Sequence, residues 1–166
     1  MRPADRASAA LVLLLVAFHA SPAQATRASV DALGDIVGAW QSDTTNGTSA
    51  RSSCAWTPEH GAVLCEQTIT TPEAVRHALS LFTFDAGAGK FVFYTLGQPG
   101  DAMRPVPLTI DRHIWIYGGQ ARDNSGKFSR TVNDFTASDS YSWRLESSAD
   151  GEHWTPGIGG RSTRVR

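Results

Sequence analysis

Along residues 141–147, YSWRLES, apolar and polar side chains alternate strictly, with Tyr141, Trp143 and Leu145 on one side and Ser142, Arg144 and Glu146 on the other. A period of two predicts a β-strand with one dry and one wet face. The same pattern, read along the chain, predicts strands over 37–42, 50–56, 62–70, 76–84, 90–96, 104–110, 113–117, 127–135, 140–147 and 153–165. A short helix is predicted over 30–36, ahead of the first strand. Turn-forming clusters at 85–89, 97–101, 123–126 and 150–151 punctuate these segments, at roughly the spacing of an all-β sandwich or barrel. No gap leaves room for a crossover helix, so the strands are expected to meet as an antiparallel meander.

Two segments are apolar on both faces. FVFYTL places Phe91 and Phe93 opposite Val92, Tyr94 and Leu96, and HIWIY places His113, Trp115 and Tyr117 opposite Ile114 and Ile116. In a barrel, such strands face an apolar interior and are covered outside by the N-terminal helix or by a partner. A two-sheet sandwich with a solid core is the alternative. The expected fold is all-β: an antiparallel up-and-down meander closing into a barrel of about eight to ten strands, with one short N-terminal helix.

Residues 1–25 read differently. Arg2 and Arg6 precede an apolar run from Ala9 to Phe18, and Ala23-Gln24-Ala25 ends the segment. This is the pattern of a secretory signal peptide cleaved after Ala25. The run is too short to span a bilayer, so no transmembrane anchor is expected after cleavage. The expectation is one domain over 26–166, secreted or periplasmic. The formal net charge of −1, with both signs scattered, excludes a nucleic-acid footprint and a polybasic membrane patch.

Export bears on the two cysteines, Cys54 and Cys65, because an oxidising compartment favours their pairing. Thr57-Pro58-Glu59-His60-Gly61 between them has turn chemistry. A hairpin symmetric about the Glu59-His60 bond sets Cys54 opposite Cys65, so a structural disulfide is expected, worth roughly 3 kcal/mol. The spacing is not the C-x-x-C of a redox motif, and the neighbourhood lacks four metal ligands.

Gly38-Ala39-Trp40, following the short helix and opening the first strand, resembles the G-x-W signature of lipocalins and related calycin barrels. In that superfamily the tryptophan closes one barrel end and an arginine of the last strand lies over its ring. The resemblance implies that role for Trp40, with Arg164 as the arginine among Arg161, Arg164 and Arg166. The order of Gly38-x-Trp40, Cys54-x-Trp56 with Cys65, Tyr141-x-Trp143 and Ser148-x-Asp150-Gly151-x-x-Trp154 is similar to that of secreted bacterial proteins of uncharacterised function with a calycin-like barrel. It spans most of 33–166, and implies that fold and a ligand cavity but no catalytic residue.

Other motifs carry less. Ser148 to Trp154 resembles the Asp-box hairpin of sialidases, but is one residue short between Asp150 and Gly151 and occurs once, whereas propellers repeat it. A type I′ turn at Asp150-Gly151 with Trp154 packed nearby is expected instead. Asn46-Gly47-Thr48 is a glycosylation sequon. His60, His77, His113 and His153 show no ligand spacing, so no metal or cofactor is expected. Neither G-x-S-x-G nor H-E-x-x-H occurs, and a non-enzyme is favoured over a small hydrolase or isomerase.

Which polar residues point inward depends on the turn after the eighth strand. With Ala137-Ser138 as a two-residue turn, residue 132 pairs with 143, and Arg130, Val132 and Asp134 share the dry face of Trp143. A three-residue turn pairs Phe135 with Tyr141 and Asn133 with Trp143, exchanging the faces. On the first register, Arg130 inside the barrel would need Asp134 or a ligand carboxylate. This motivates a binding protein for a small hydrophobic or acidic amphipathic molecule, held by Arg130 and the aromatic walls Trp115, Tyr141 and Trp143, with His77 or Tyr94 as further polar contacts. The alternative is an envelope structural or protein-interaction domain with a filled barrel, and homo-oligomer formation stays open.

Overall fold

The computed structural model describes residues 29–44, 47–97, 104–123 and 125–166. The expected leader and Asn46 lie outside these residues. Ten antiparallel strands form a closed barrel: β1 (Gly38–Thr44), β2 (Ser49–Trp56), β3 (Ala62–Thr70), β4 (Val75–Asp85), β5 (Lys90–Leu96), β6 (Arg104–Asp111), β7 (Ile114–Arg122), β8 (Phe128–Ala137), β9 (Ser140–Ser148) and β10 (Thr155–Val165). Each strand pairs with the next, and β1 also pairs with β10 through registers such as Trp40↔Arg164. The sheet therefore has no open edge, as the meander predicted and as a sandwich would not. No helix of the described residues is long and apolar enough to cross a membrane.

One turn of helix at 29–31 leads into a 3-10 helix, Ala32–Ile36. Leu33 and Ile36 are buried and join the interior cluster with Trp40, Val63, Trp115, Phe135 and Tyr141. The helix thus plugs one barrel end, and the expectation that it covers the outer wall of β5 or β7 is corrected. Outside, Val92, Tyr94 and Leu96 of β5 remain part-exposed, and Leu64, Val75 and Leu79 on β3 and β4 are exposed. The loops at 57–61, 86–89, 112–113 and 138–139 lie at the plugged end, and the opposite end is the mouth.

The β2–β3 hairpin follows its expected symmetry. Cys54 pairs with Cys65 in the register, and the two are disulfide-bonded. The turn is closed by Thr57 N–H donating to Ala62 O (2.9 Å) and His60 N–H donating to Thr57 O (2.8 Å).

The β8–β9 register is the one that pairs Asn133 with Trp143. The connection is a two-residue turn at Ser138-Asp139, with Ala137 opposite Ser140, and a bulge between Asp134 and Ala137 then shifts the pairing by one residue. Thr131, Asn133 and Phe135 therefore share the inner face with Trp143. Arg130, Val132 and Asp134 face outward, so the placement of Arg130 inside the barrel is corrected.

The β9–β10 loop differs from expectation too. A type I′ turn needs positive φ at both central residues, and here only Gly151 has it, at 86°. The Asp150 carboxylate instead accepts from the amides of Glu152 (2.8 Å) and His153 (2.9 Å) and from the Ser148 hydroxyl (2.9 Å). That Asp-centred loop delays β10 until Thr155.

Candidate functional site

Inside the barrel the side chains sort along its axis. At the plugged end, rings fill the lumen. Trp40 meets Tyr141 edge-on at 5.0 Å between centroids, Phe135 lies 4.5 Å from Tyr141, and Trp115 lies 5.0 Å from Phe135. Arg164 stacks over Trp40 at 4.2 Å. Its guanidinium also donates to the carbonyls of Val37, Ser138 and Asp35. Gly38 has φ of 126°, and a Cβ there would collide with that guanidinium, so the position requires glycine.

Toward the mouth the filling stops. A cavity of about 310 Å³ has Phe82, Phe93, Tyr117 and Tyr141 deep, with Trp143 and Ile69 on its wall and hydroxyl and amide groups of Thr44, Gln67, Thr95 and Thr131 nearer the opening. None of its described lining residues is Asp, Glu, Lys, Arg or His. The volume is at the lower end of small-molecule sites, roughly 300–1,000 Å³.

Two polar clusters lie in the wall. Ser42 and Ser162 hydroxyls are 2.5 Å apart, and both hydrogen-bond to the Tyr141 phenol. Nearby, Asn133 Nδ2 donates to Tyr117 Oη at 3.1 Å. Burial, reinforced by the neighbouring Tyr141 phenol, pushes the Tyr117 pKa well above its ordinary value despite the Asn133 hydrogen bond. Burial likewise raises Tyr141, against the hydrogen bonds from Ser162 and Ser42. Both phenols therefore stay protonated near neutral pH. None of the described lining residues is poised as a nucleophile or a general base near neutrality. No group of three or more His, Cys, Asp or Glu side chains that could hold a metal ion forms among the described residues.

The residues singled out in the sequence separate. Tyr141 and Trp143 line the cavity. Trp115 is wholly buried in the ring stack beneath it. Tyr94 and His77 point outward, His77 Nδ1 lying 3.3 Å from the Thr68 hydroxyl on the barrel surface. Arg130 sits on the outer wall, 23% exposed, with Nη2 and Nε each 2.6 Å from Glu146 Oε2. Arg144 Nε holds the other carboxylate oxygen at 2.6 Å, and Trp154 stacks on the Arg130 guanidinium at 3.9 Å. With Arg130 outside, the reason for expecting an acidic head group is gone.

Sequence reasoning did not assign Phe82, Phe93, Tyr117 or Asn133 to the binding site. Phe93 and Tyr117 share a face with Phe91 and Trp115 in their alternating strands, which is a usable signal, and Asn133 follows once the register is known.

A second concavity, an open groove of about 790 Å³, runs over the outer wall of β2–β5. It carries the apolar Val75, Leu79 and Leu96 with Arg51, Glu66 and Arg76 around them.

No protein-family model matches the chain. No curated protein matches it either. Among solved structures, the crystal structure of a DUF3598-family protein of unknown function from Nostoc punctiforme is similar at 10% identity, over 82% of this chain and 98% of that one, with a TM-score of 0.23.

Proposed function

We propose that the protein is an exported, calycin-like barrel that binds a small amphipathic molecule in the mouth half of its lumen. The observation that supports this reading is the gradient along the axis: rings close one end, while the other keeps about 310 Å³ of space between an aromatic floor and a hydroxyl-lined opening. A barrel needed only as a scaffold gains stability from filling that space. The disulfide-bonded Cys54–Cys65 pair fits an extracellular or periplasmic site of action, in line with the signal-peptide pattern of residues 1–25.

Native mass spectrometry of gently purified protein, paired with analysis of its organic extract, tests the reading. A stoichiometric small molecule is the expected result. Protein that is empty and takes up no apolar fluorescent probe would overturn it.

A second reading, an interaction domain, rests on the outer groove of β2–β5, where apolar side chains stand among both signs of charge. Such a face is self-complementary toward a second copy of the chain. An empty protein that dimerises tightly would favour it.

A further inference from the structure

Resting on the reading of the barrel as a binding module, we propose that its cavity selects an uncharged, hydroxyl-bearing molecule with a compact apolar body, anchored by Tyr117 and Asn133. The two polar clusters in the wall are not equivalent. Ser42 and Ser162 share a hydrogen bond beside the Tyr141 phenol. The Tyr117–Asn133 pair keeps a donor and an acceptor to spare. Its one internal bond, Nδ2 to Oη, uses an amide N–H and a phenol lone pair. The phenol O–H and the amide oxygen Oδ1 then have no partner among the described residues, although Asn133 is 92% buried by its exposure of 8%. Both residues line the cavity.

A donor and an acceptor side by side suit a hydroxyl, which can donate to Oδ1 while it accepts from the phenol. A carboxylate offers acceptors only and an ammonium donors only. Either would also bring a charge into a lumen where no described lining residue carries an opposite one. The apolar body has a place as well. Tyr117 is flanked by Phe93 at 5.2 Å and Phe82 at 6.0 Å between centroids. Ser80, 3% exposed, places a further hydroxyl on the cavity wall.

Three probes of one shape test this on the full chain, freed of any co-purified molecule: 2-naphthol, naphthalene and 2-naphthoate, titrated calorimetrically between about pH 5 and pH 8, where their charge states are constant or nearly so. The expected result is 2-naphthol binding at least about tenfold tighter than the other two, with affinity flat in pH. Asn133→Leu and, separately, Tyr117→Phe should each remove most of that advantage and leave naphthalene affinity within about twofold. Two variants are used so that one folding poorly does not remove the test. If 2-naphthoate binds tightest, or 2-naphthol and naphthalene bind alike, the anchor is wrong and the cavity stands. If no probe binds, the binding-module reading itself fails.

Discussion

The Arg164 guanidinium lies over the Trp40 ring, 4.2 Å from its centroid, and joins the last strand to the first at the plugged end. It also donates to three carbonyls, those of Asp35, Val37 and Ser138, from the helix, its exit and the β8–β9 turn. A cation–π contact contributes about 1 kcal/mol, and charged hydrogen bonds add to it. Arg164→Ala should therefore cost about 2–3 kcal/mol in urea unfolding, and Arg164→Lys should recover the charge but not the fork. A cost within error of zero for Arg164→Ala would show that the barrel end closes without it.

Trp40 and Trp115 are both buried, but only one has its ring N–H satisfied. Trp40 Nε1 donates to Ile36 O at 2.7 Å, whereas Trp115 Nε1 has no partner among the described residues. Trp40→Phe would orphan a buried carbonyl, and Trp115→Phe would remove an orphaned donor, an asymmetry of about 1–3 kcal/mol. Trp40→Phe should thus be the more damaging by about 2 kcal/mol, read from paired denaturation midpoints. Equal losses would mean that packing alone sets both values.

Cys54 and Cys65 close a short loop, at a sequence separation of 11, and both are buried. Native protein should resist dithiothreitol and become reducible on adding denaturant. The double variant Cys54→Ala, Cys65→Ala should lose about 2–3 kcal/mol, as expected for constraining a short loop in the unfolded chain. Rapid reduction under native conditions would contradict the burial of the bond.

The contrast between two hairpins explains what the amino-acid pattern reveals. Around Cys54 and Cys65 the Pro58–Gly61 turn admits one symmetric pairing, and the register follows from counting. Around Ser138 the chain offers turns of two or three residues, and the actual path combines a two-residue turn with a bulge after Asp134. A bulge leaves no mark in hydrophobic periodicity, yet one residue of slip moves Arg130 from lumen to surface and Asn133 the other way. The ten strands were legible because alternation is local. The cavity's polar groups were not, because they depend on that one offset and on which rings stop filling the lumen.

On the outer wall, Glu146 is 6% exposed and holds Arg130 and Arg144 at once. Trp154 covers Arg130 and lies flat because Gly119 has no side chain: a Cβ there would stand 3.3 Å from the indole. Glu146→Gln leaves two cations sharing a neutral amide and should cost about 1–3 kcal/mol, moderated by the solvent that reaches Arg144. Arg130→Ala should lower stability by a similar amount and leave the affinity of every cavity probe unchanged. A loss of affinity at unchanged fold would return Arg130 to the binding site.

The mouth loops hold depressed carboxylates, and this sets an acid limit. Hydrogen bonds from the Ser125 and Ser129 side chains lower Asp123 to about 2, and the His153 amide and ring, with Glu152 N–H and Ser148, hold Asp150 well below the usual range. For Glu146, burial pushes upward, but the hydrogen bonds and charges of Arg144 and Arg130 outweigh it and the net shift is downward. A carboxylate with a folded pKa below its unfolded value stabilises the fold above roughly pH 4, and that contribution fades as pH falls toward the folded value. These groups should therefore leave stability flat from about pH 5 upward and reduce it below about pH 4. Hydrogen exchange should show the 123–127 and 149–154 loops loosening before the plugged end does. Loosening already near pH 6, or greater stability at pH 3 than at pH 6, would show that these hydrogen bonds do not hold the mouth.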